Sequence, residues 1–124
     1  MNNFLLGKQV LVVEDEMMIL MMFEDMLADL GCKKVLSAST VDQALELINT
    51  YRVDAATLDV NLCGSDSYPI ADSLTARSVP FAFVTSYGPQ GLRKDYSHHT
   101  TLKKPFTSAE FTEMLRLLVS ETKV

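Results

Sequence analysis

Val10-Leu11-Val12-Val13 is a β-branched apolar run of strand length with no polar alternation, and it stops abruptly at Glu14-Asp15-Glu16. An alternating strand has one wet face, whereas a strand without alternation is covered on both. The feature recurs in Val35-Leu36-Ser37-Ala38, Ala55 to Leu58, Phe81-Ala82-Phe83-Val84 and the brief Thr101-Leu102. Between and after these runs lie segments of helical length. Strand and helix in strict alternation predict an α/β fold, a five-stranded parallel sheet with helices on both faces, because each right-handed crossover needs its own helix.

The helices have their own signals. From Glu16 to Leu30 the apolar residues Ile19, Met22, Phe23, Met26, Leu27 and Leu30 fall at helical spacing, and Gly31 supplies a left-handed stop. Thr40 with Gln43, and Thr107 with Glu110, have the spacing of capping boxes. The first opens a helix carrying Ala44, Leu45, Leu47 and Ile48, and the second a helix whose buried stripe is Phe111, Met114, Leu115 and Leu118. After a polar loop from Asn61 to Ser67, Pro69 suits the first position of a helix reaching about Arg77. Tyr87 to His99 should hold one more crossover helix, but Gly88, Pro89 and Gly91 crowd its start, which predicts a short or loosely formed one.

The 124 residues suffice for one domain, 1–124, and their 48% hydrophobic and 22% charged composition excludes disorder. Eleven basic against sixteen acidic side chains give 11 − 16 = −5, which argues against a nucleic-acid surface. Cys32 and Cys63 form no disulfide framework and read as small apolar fillers. The longest apolar run, Met17 to Phe23, is too short to span a bilayer, and Met1-Asn2-Asn3 carries no positive charge of the kind that opens a secretion signal. A soluble cytoplasmic domain is expected, without nucleic-acid or membrane partners. His98 and His99 lie in a polar stretch without a third metal ligand and read as solvated surface.

In open parallel sheets, ligands sit beyond the carboxyl ends of the strands. Here those ends carry Glu14 and Asp15, then Asp59, then Thr85, with Lys104 after the fifth strand. Three carboxylates on one edge repel one another unless a cation joins them, and hard oxygen ligands of this kind suit Mg²⁺. A carboxylate beside Mg²⁺ can attack a phosphoryl group, with a lysine offsetting charge on the transferring oxygens, and Asp59 is then the nucleophile. Taken alone, Glu14 to Glu16 also suit a helix N-terminus, where acids complement the macrodipole.

Val12-Val13-Glu14-Asp15, Leu58-Asp59-Val60-Asn61-Leu62, Val84-Thr85-Ser86 and Lys103-Lys104-Pro105-Phe106, in this order and spacing, resemble the receiver domain of two-component response regulators across essentially the whole chain. The resemblance implies a flavodoxin-like (βα)5 fold with strand order 2-1-3-4-5. It implies that Asp59 accepts a phosphoryl group from a histidine kinase or histidine phosphotransfer protein. Asp15 and Asp59 would ligate Mg²⁺ with their carboxylates and Asn61 with its main-chain carbonyl, while Glu14 would act through a metal-bound water. Thr85 and Lys104 would hold phosphoryl oxygens, Pro105 would favour a cis bond, and the small Ser86 would leave the site open to donor or water. Such a domain is a signalling module, not an enzyme beyond its own phosphotransfer and dephosphorylation.

Two departures accompany the resemblance. Most receivers carry Tyr or Phe three residues before the active-site lysine, where this chain has Thr101, which puts the usual aromatic switch in doubt. Pro80 to Gly88 resembles the signature of the FAT-GUY subgroup of single-domain receivers, which lack that aromatic, and Tyr87 then either takes over part of the switch or packs as an ordinary loop aromatic. In the first helix, Met17, Met18, Leu20 and Met21 fall outside the core stripe. Receivers dock their histidine-bearing partner through this helix, so these methionines are expected to form that contact.

The leading expectation is a stand-alone receiver with no output domain, a monomer or phosphorylation-linked dimer, that signals to a downstream protein or drains phosphate from a partner. A Mg²⁺-dependent phosphohydrolase using an aspartyl phosphate is a second reading, disfavoured because Asn61 stands where such enzymes place a general acid. A flavin site would need a phosphate cradle where Glu14-Asp15-Glu16 would repel phosphate. A phosphorylation-independent scaffold leaves Asp59, Thr85 and Lys104 without a purpose.

Overall fold

A computed structural model describes residues 4–62, 64–86 and 92–120. In chain order it contains β1 (Gln9–Val13), α1 (Met17–Asp29), β2 (Lys34–Ala38), α2 (Val41–Thr50), β3 (Ala55–Asp59), β4 (Asn61–Leu62), β5 (Ser65–Asp66), α3 (Tyr68–Ala76), β6 (Phe81–Thr85), a 3-10 turn (Lys94–Tyr96), β7 (Thr101–Lys103) and α4 (Ser108–Ser120). Five strands pair in parallel in the order β2-β1-β3-β6-β7. Counted by their own sequence these are strands 2-1-3-4-5, the flavodoxin-like order.

The uninterrupted apolar runs are strands covered on both faces. Because side chains alternate across a strand, β1 sends Val10 and Val12 into one layer and Leu11 and Val13 into the other. The first layer is closed by α1 and α4, where Phe23 stacks on Phe111 with centroids 5.0 Å apart. The second is closed by α2 and α3 through Ala44, Ile48, Ile70 and Leu74.

One of the two expected capping boxes forms in full and the other in half. The Thr40 hydroxyl oxygen accepts from the Gln43 backbone N–H at 3.1 Å, while the Gln43 amide oxygen reaches one residue further back, to the Ser39 N–H at 2.9 Å. Thr107 and Glu110 exchange both bonds, at 3.1 and 2.8 Å. Gly31 has φ 84°, the left-handed conformation expected of it.

Four local expectations are corrected. In α1, Leu20 is buried at 7% exposure and Met22 is exposed at 43%. Leu20, Phe23 and Leu27 follow steps of three and four, whereas Met22 lies two residues, or about 200°, round the helix from Leu20. The expected polar loop from Asn61 to Ser67 contains the hairpin β4–β5, pairing Asn61 with Asp66 and Leu62 with Ser65. Leu62 is buried beneath it, and Gly64 takes the left-handed φ of 87°. Pro69 is the second residue of α3, not the first. His99 is half-buried against Phe81 with ring centroids 4.1 Å apart, and its Nε2 lies 2.7 Å from the Phe81 carbonyl oxygen, while His98 is exposed as expected.

Between β6 and β7 the described residues form the 3-10 turn and no α-helix. Tyr87 and Cys63 lie outside the described residues. Cys32 is half-buried, with its thiol donating towards the Lys8 and Lys34 carbonyls, and burial raises its pKa. Among the described residues no helix is long and apolar enough to cross a membrane.

Candidate functional site

Parallel pairing brings the carboxyl ends of β1, β3 and β6 side by side: Val13 is level with Leu58, and Asp59 with Val84. Residues that follow these strands therefore converge. Ligand atoms of Glu14, Asp15 and Asp59 lie within 4.8 Å of one another, an arrangement able to hold a metal ion. Lys104 enters from beyond β7. Its backbone N–H donates to the Thr85 carbonyl at 2.8 Å, and the Lys104–Pro105 bond is cis.

The Lys104 ammonium lies 3.2 Å from Glu14 Oε1, 3.6 Å from Asp59 Oδ2 and 3.9 Å from Glu16 Oε1. Burial works to lower its pKa, but Asp59, Glu14 and Glu16 outweigh that and hold the lysine above its ordinary value. Glu14 is 1% exposed. Burial, and next the Asp59 carboxylate, push its pKa up to about 7, although the Glu16 N–H and Lys104 act in the other direction. Its Oε2 accepts that N–H at 3.1 Å, just before the start of α1, whose first turn holds no acidic residue.

Three carboxylates thus lie within 4 Å of one ammonium, with Asp15 beside them in the acidic cluster, and the negative excess is what a divalent cation neutralises. The all-oxygen donor set suits a hard cation such as Mg²⁺.

The other expected residues distribute as follows. Thr85 ends β6 with 5% exposure, one step beyond the residue level with Asp59. Ser86 is exposed beside it. Asn61 is exposed at the start of the β4–β5 hairpin, its side-chain oxygen accepting from the Gly64 N–H at 3.0 Å. A cleft of about 420 Å³, lined by Asp15, Ser39, Thr40, Leu62 and Ser65 among others, opens next to the acidic cluster. Thr101 stands away from the cluster, half-buried on β7 and level with Phe83. On α1, Met17, Met18 and Met21 are 65%, 84% and 54% exposed. Met22, not Leu20, joins them, and a shallow groove of about 360 Å³ runs between Met18, Met21 and Met22 and the acidic Asp25 and Asp29.

One set of residues was missed. Tyr68, Asp72 and Thr75 on α3 bind Arg93 and Tyr96 across the β6–β7 connection. The only sequence signal is the spacing of 68, 72 and 75, which places three polar-tipped side chains on one helix face.

A doubly covered parallel sheet with an acidic cluster and a lysine at its carboxyl edge defines a small class of proteins. Residues 10–116 match the response regulator receiver domain, and the chain belongs to that family. The solution structure of SdrG from Sphingomonas melonis Fr1 is 39% identical, covers 90% of this chain and 96% of its own, and superposes with a TM-score of 0.80. The BeF3-activated conformation of SdrG is 38% identical over 90% of this chain and 95% of its own, with a TM-score of 0.77. The transcriptional regulatory protein PdtaR of Mycobacterium tuberculosis is 26% identical over 91% of the chain, which spans 57% of that relative's length.

Proposed function

We propose that this chain is a phosphoacceptor whose Asp59 takes a phosphoryl group from a phosphohistidine on a histidine kinase or phosphotransfer protein. The observation that carries the reading is the convergence of Glu14, Asp15 and Asp59 within 4.8 Å, with the Lys104 ammonium 3.6 Å from Asp59. An Asp59 carboxylate oxygen attacks phosphorus, the phosphorus–nitrogen bond breaks, and its electron pair returns to the imidazole. Asp15, Asp59 and the Asn61 main-chain carbonyl would hold Mg²⁺, with Glu14 acting through a water, and the cation would supply charge neutralisation at the transferring oxygens. Lys104 neutralises one phosphoryl oxygen, the Thr85 hydroxyl donates to another, and the small, exposed Ser86 leaves the approach open. The domain then acts in the cytoplasm through protein contacts, on a downstream target or as a sink for phosphate. That a relative adopts a BeF3-activated conformation supports the reading.

The test is incubation with acetyl phosphate and Mg²⁺, followed by a phosphate-affinity gel and intact mass. The expected result is a retarded band carrying one phosphoryl group, absent when EDTA is added. An unmodified chain after exposure to both acetyl phosphate and a panel of phosphorylated kinases would overturn the reading.

The exposed methionines of α1 are the proposed docking surface for the histidine-bearing partner, because flexible thioethers adapt to an apolar helix face. Met18→Lys combined with Met21→Lys is expected to slow phosphotransfer from the protein donor by about tenfold or more. Acetyl phosphate, which needs no docking surface, should phosphorylate the double variant at the parent rate. An unchanged rate from the protein donor would remove α1 from the interface.

A further inference from the structure

The segment joining β6 to β7 is fastened to α3 by a set of polar contacts centred on Arg93. The Arg93 backbone N–H donates to the Tyr68 hydroxyl at 2.6 Å. Its guanidinium donates to Asp72 at 2.7 and 3.4 Å and to Asp95 at 2.7 and 2.9 Å. The same group lies over the rings of Tyr68 and Tyr96, 4.9 and 5.1 Å from their centroids. The Tyr96 hydroxyl donates to Asp72 Oδ1 at 2.8 Å, leaving Thr75 Oγ1, at 3.1 Å, as donor to Tyr96. Arg93 and Asp72 are themselves half-exposed.

This clasp stands on β6. Tyr96 is 8% exposed and meets Phe81 and Phe83 edge-on at 5.9 and 5.4 Å, and Tyr68 meets Phe83 at 5.8 Å. Phe83 is two residues before Thr85 on the same strand. A phosphoryl group on Asp59 that drew the Thr85 hydroxyl toward it would displace the end of β6, the strand on which the clasp is assembled. Packed cores resist such displacement and respond by switching between discrete arrangements.

We propose that the Arg93–Asp72–Tyr96 clasp is an autoinhibitory contact, which holds the 92–99 segment against α3 and is loosened when the site at Asp59 is occupied by a phosphoryl group. The proposal rests on the phosphoacceptor reading. Coupling is reciprocal: a contact weakened by occupation opposes occupation to the same extent, so cutting the clasp must raise affinity at Asp59.

The test is titration of the full chain with beryllofluoride in Mg²⁺, followed by NMR, for the parent, Arg93→Ala, Arg93→Lys and Tyr96→Phe. Amide exchange of residues 92–99 is measured on the same samples. Arg93→Ala is expected to tighten beryllofluoride binding by about three- to tenfold and to speed exchange across the segment, in keeping with a few partly exposed contacts. Arg93→Lys, which keeps the charge but not the fork, should fall between, and Tyr96→Phe should shift affinity the same way by a smaller factor. Faster exchange with unchanged or weaker binding would overturn the proposal and leave the clasp a purely structural fastening. Failure of the parent to bind beryllofluoride would overturn the phosphoacceptor reading itself, and the clasp's regulatory role with it.

Discussion

The Asp59→Asn protein is expected to take up no phosphoryl group, from acetyl phosphate or from any phosphohistidine donor, and to melt higher than the parent in metal-free buffer. The first result follows from chemistry. A carboxamide has no anionic oxygen to attack phosphorus, and neither Glu14, 1% exposed and bound to Lys104, nor Asp15 replaces it in line with Thr85 and Lys104. The second follows from electrostatics. Asp59 is the strongest like-charge contributor to the raised pKa of Glu14, so removing its charge relieves repulsion inside a site built to hold a cation.

The Lys104 ammonium does not lose its anchorage, because Glu14 at 3.2 Å and Glu16 at 3.9 Å remain. The net gain is expected to be about 1 kcal/mol, or roughly 4 °C in a domain of this size. Addition of Mg²⁺ should raise the melting temperature of the parent and leave that of Asp59→Asn nearly unchanged. Phosphate uptake by Asp59→Asn would place the acceptor elsewhere. A lower melting temperature in EDTA would mean that the Asp59–Lys104 attraction outweighs the repulsion.

Much of this architecture is legible in the sequence because the strands are buried on both faces. Runs such as Val10 to Val13 and Phe81 to Val84 leave no alternative period, and the polar residues that end them fall at one edge of the sheet. Glu14, Asp15, Asp59 and Lys104 are therefore grouped by the sequence pattern itself, since strand order alone brings them together. What escapes is whatever depends on rotation or on short elements. The exchange of Leu20 for Met22 turns on a helix phase that a run of methionines and leucines blurs, since either face offers apolar side chains. The β4–β5 hairpin has two residues in each strand, too few to show alternation.

The clasp escapes for a different reason. Tyr68, Asp72, Thr75, Arg93 and Tyr96 are each ordinary surface residues in the sequence, and the two halves come from elements whose packing the crowded Gly88, Pro89 and Gly91 leave undetermined. His99 is similar: its neighbours in sequence are polar, but its ring lies on Phe81, eighteen residues earlier. Where the chain lacks an aromatic at Thr101, the structure concentrates aromatics on the face of β6 that carries Thr101's level partner Phe83, in Tyr68, Phe81, Phe83 and Tyr96. Phe83, at the centre of that cluster, lies two residues before Thr85 on β6.

The second large effect is on stability, and its sign is set by Glu14. Its folded pKa stands at about 7 against an ordinary 4.5, raised by burial first and by Asp59 second. Below pH 4.5 both folded and unfolded chains hold this proton, and the folded state is not penalised. Between the two values the unfolded chain has released the proton while the folded chain retains it, so stability falls as pH rises, and above about 7 the loss is complete. The retained proton therefore makes the folded chain weaker at alkaline than at acid pH. Asp72 and Asp95 work in the opposite sense, because their hydrogen bonds to Arg93 lower their pKa values, but they titrate below this window and are half-exposed. Urea unfolding at pH 5 and at pH 8 in EDTA should therefore show the parent weaker at the higher pH, while Glu14→Gln, which carries no proton to lose, shows little change between the two. Mg²⁺ should restore most of the parent's loss at pH 8, since a cation among Glu14, Asp15 and Asp59 offsets the repulsion that ionising Glu14 creates. An equal decline in Glu14→Gln would assign the pH dependence to other groups and remove Glu14 as the site's proton-linked element.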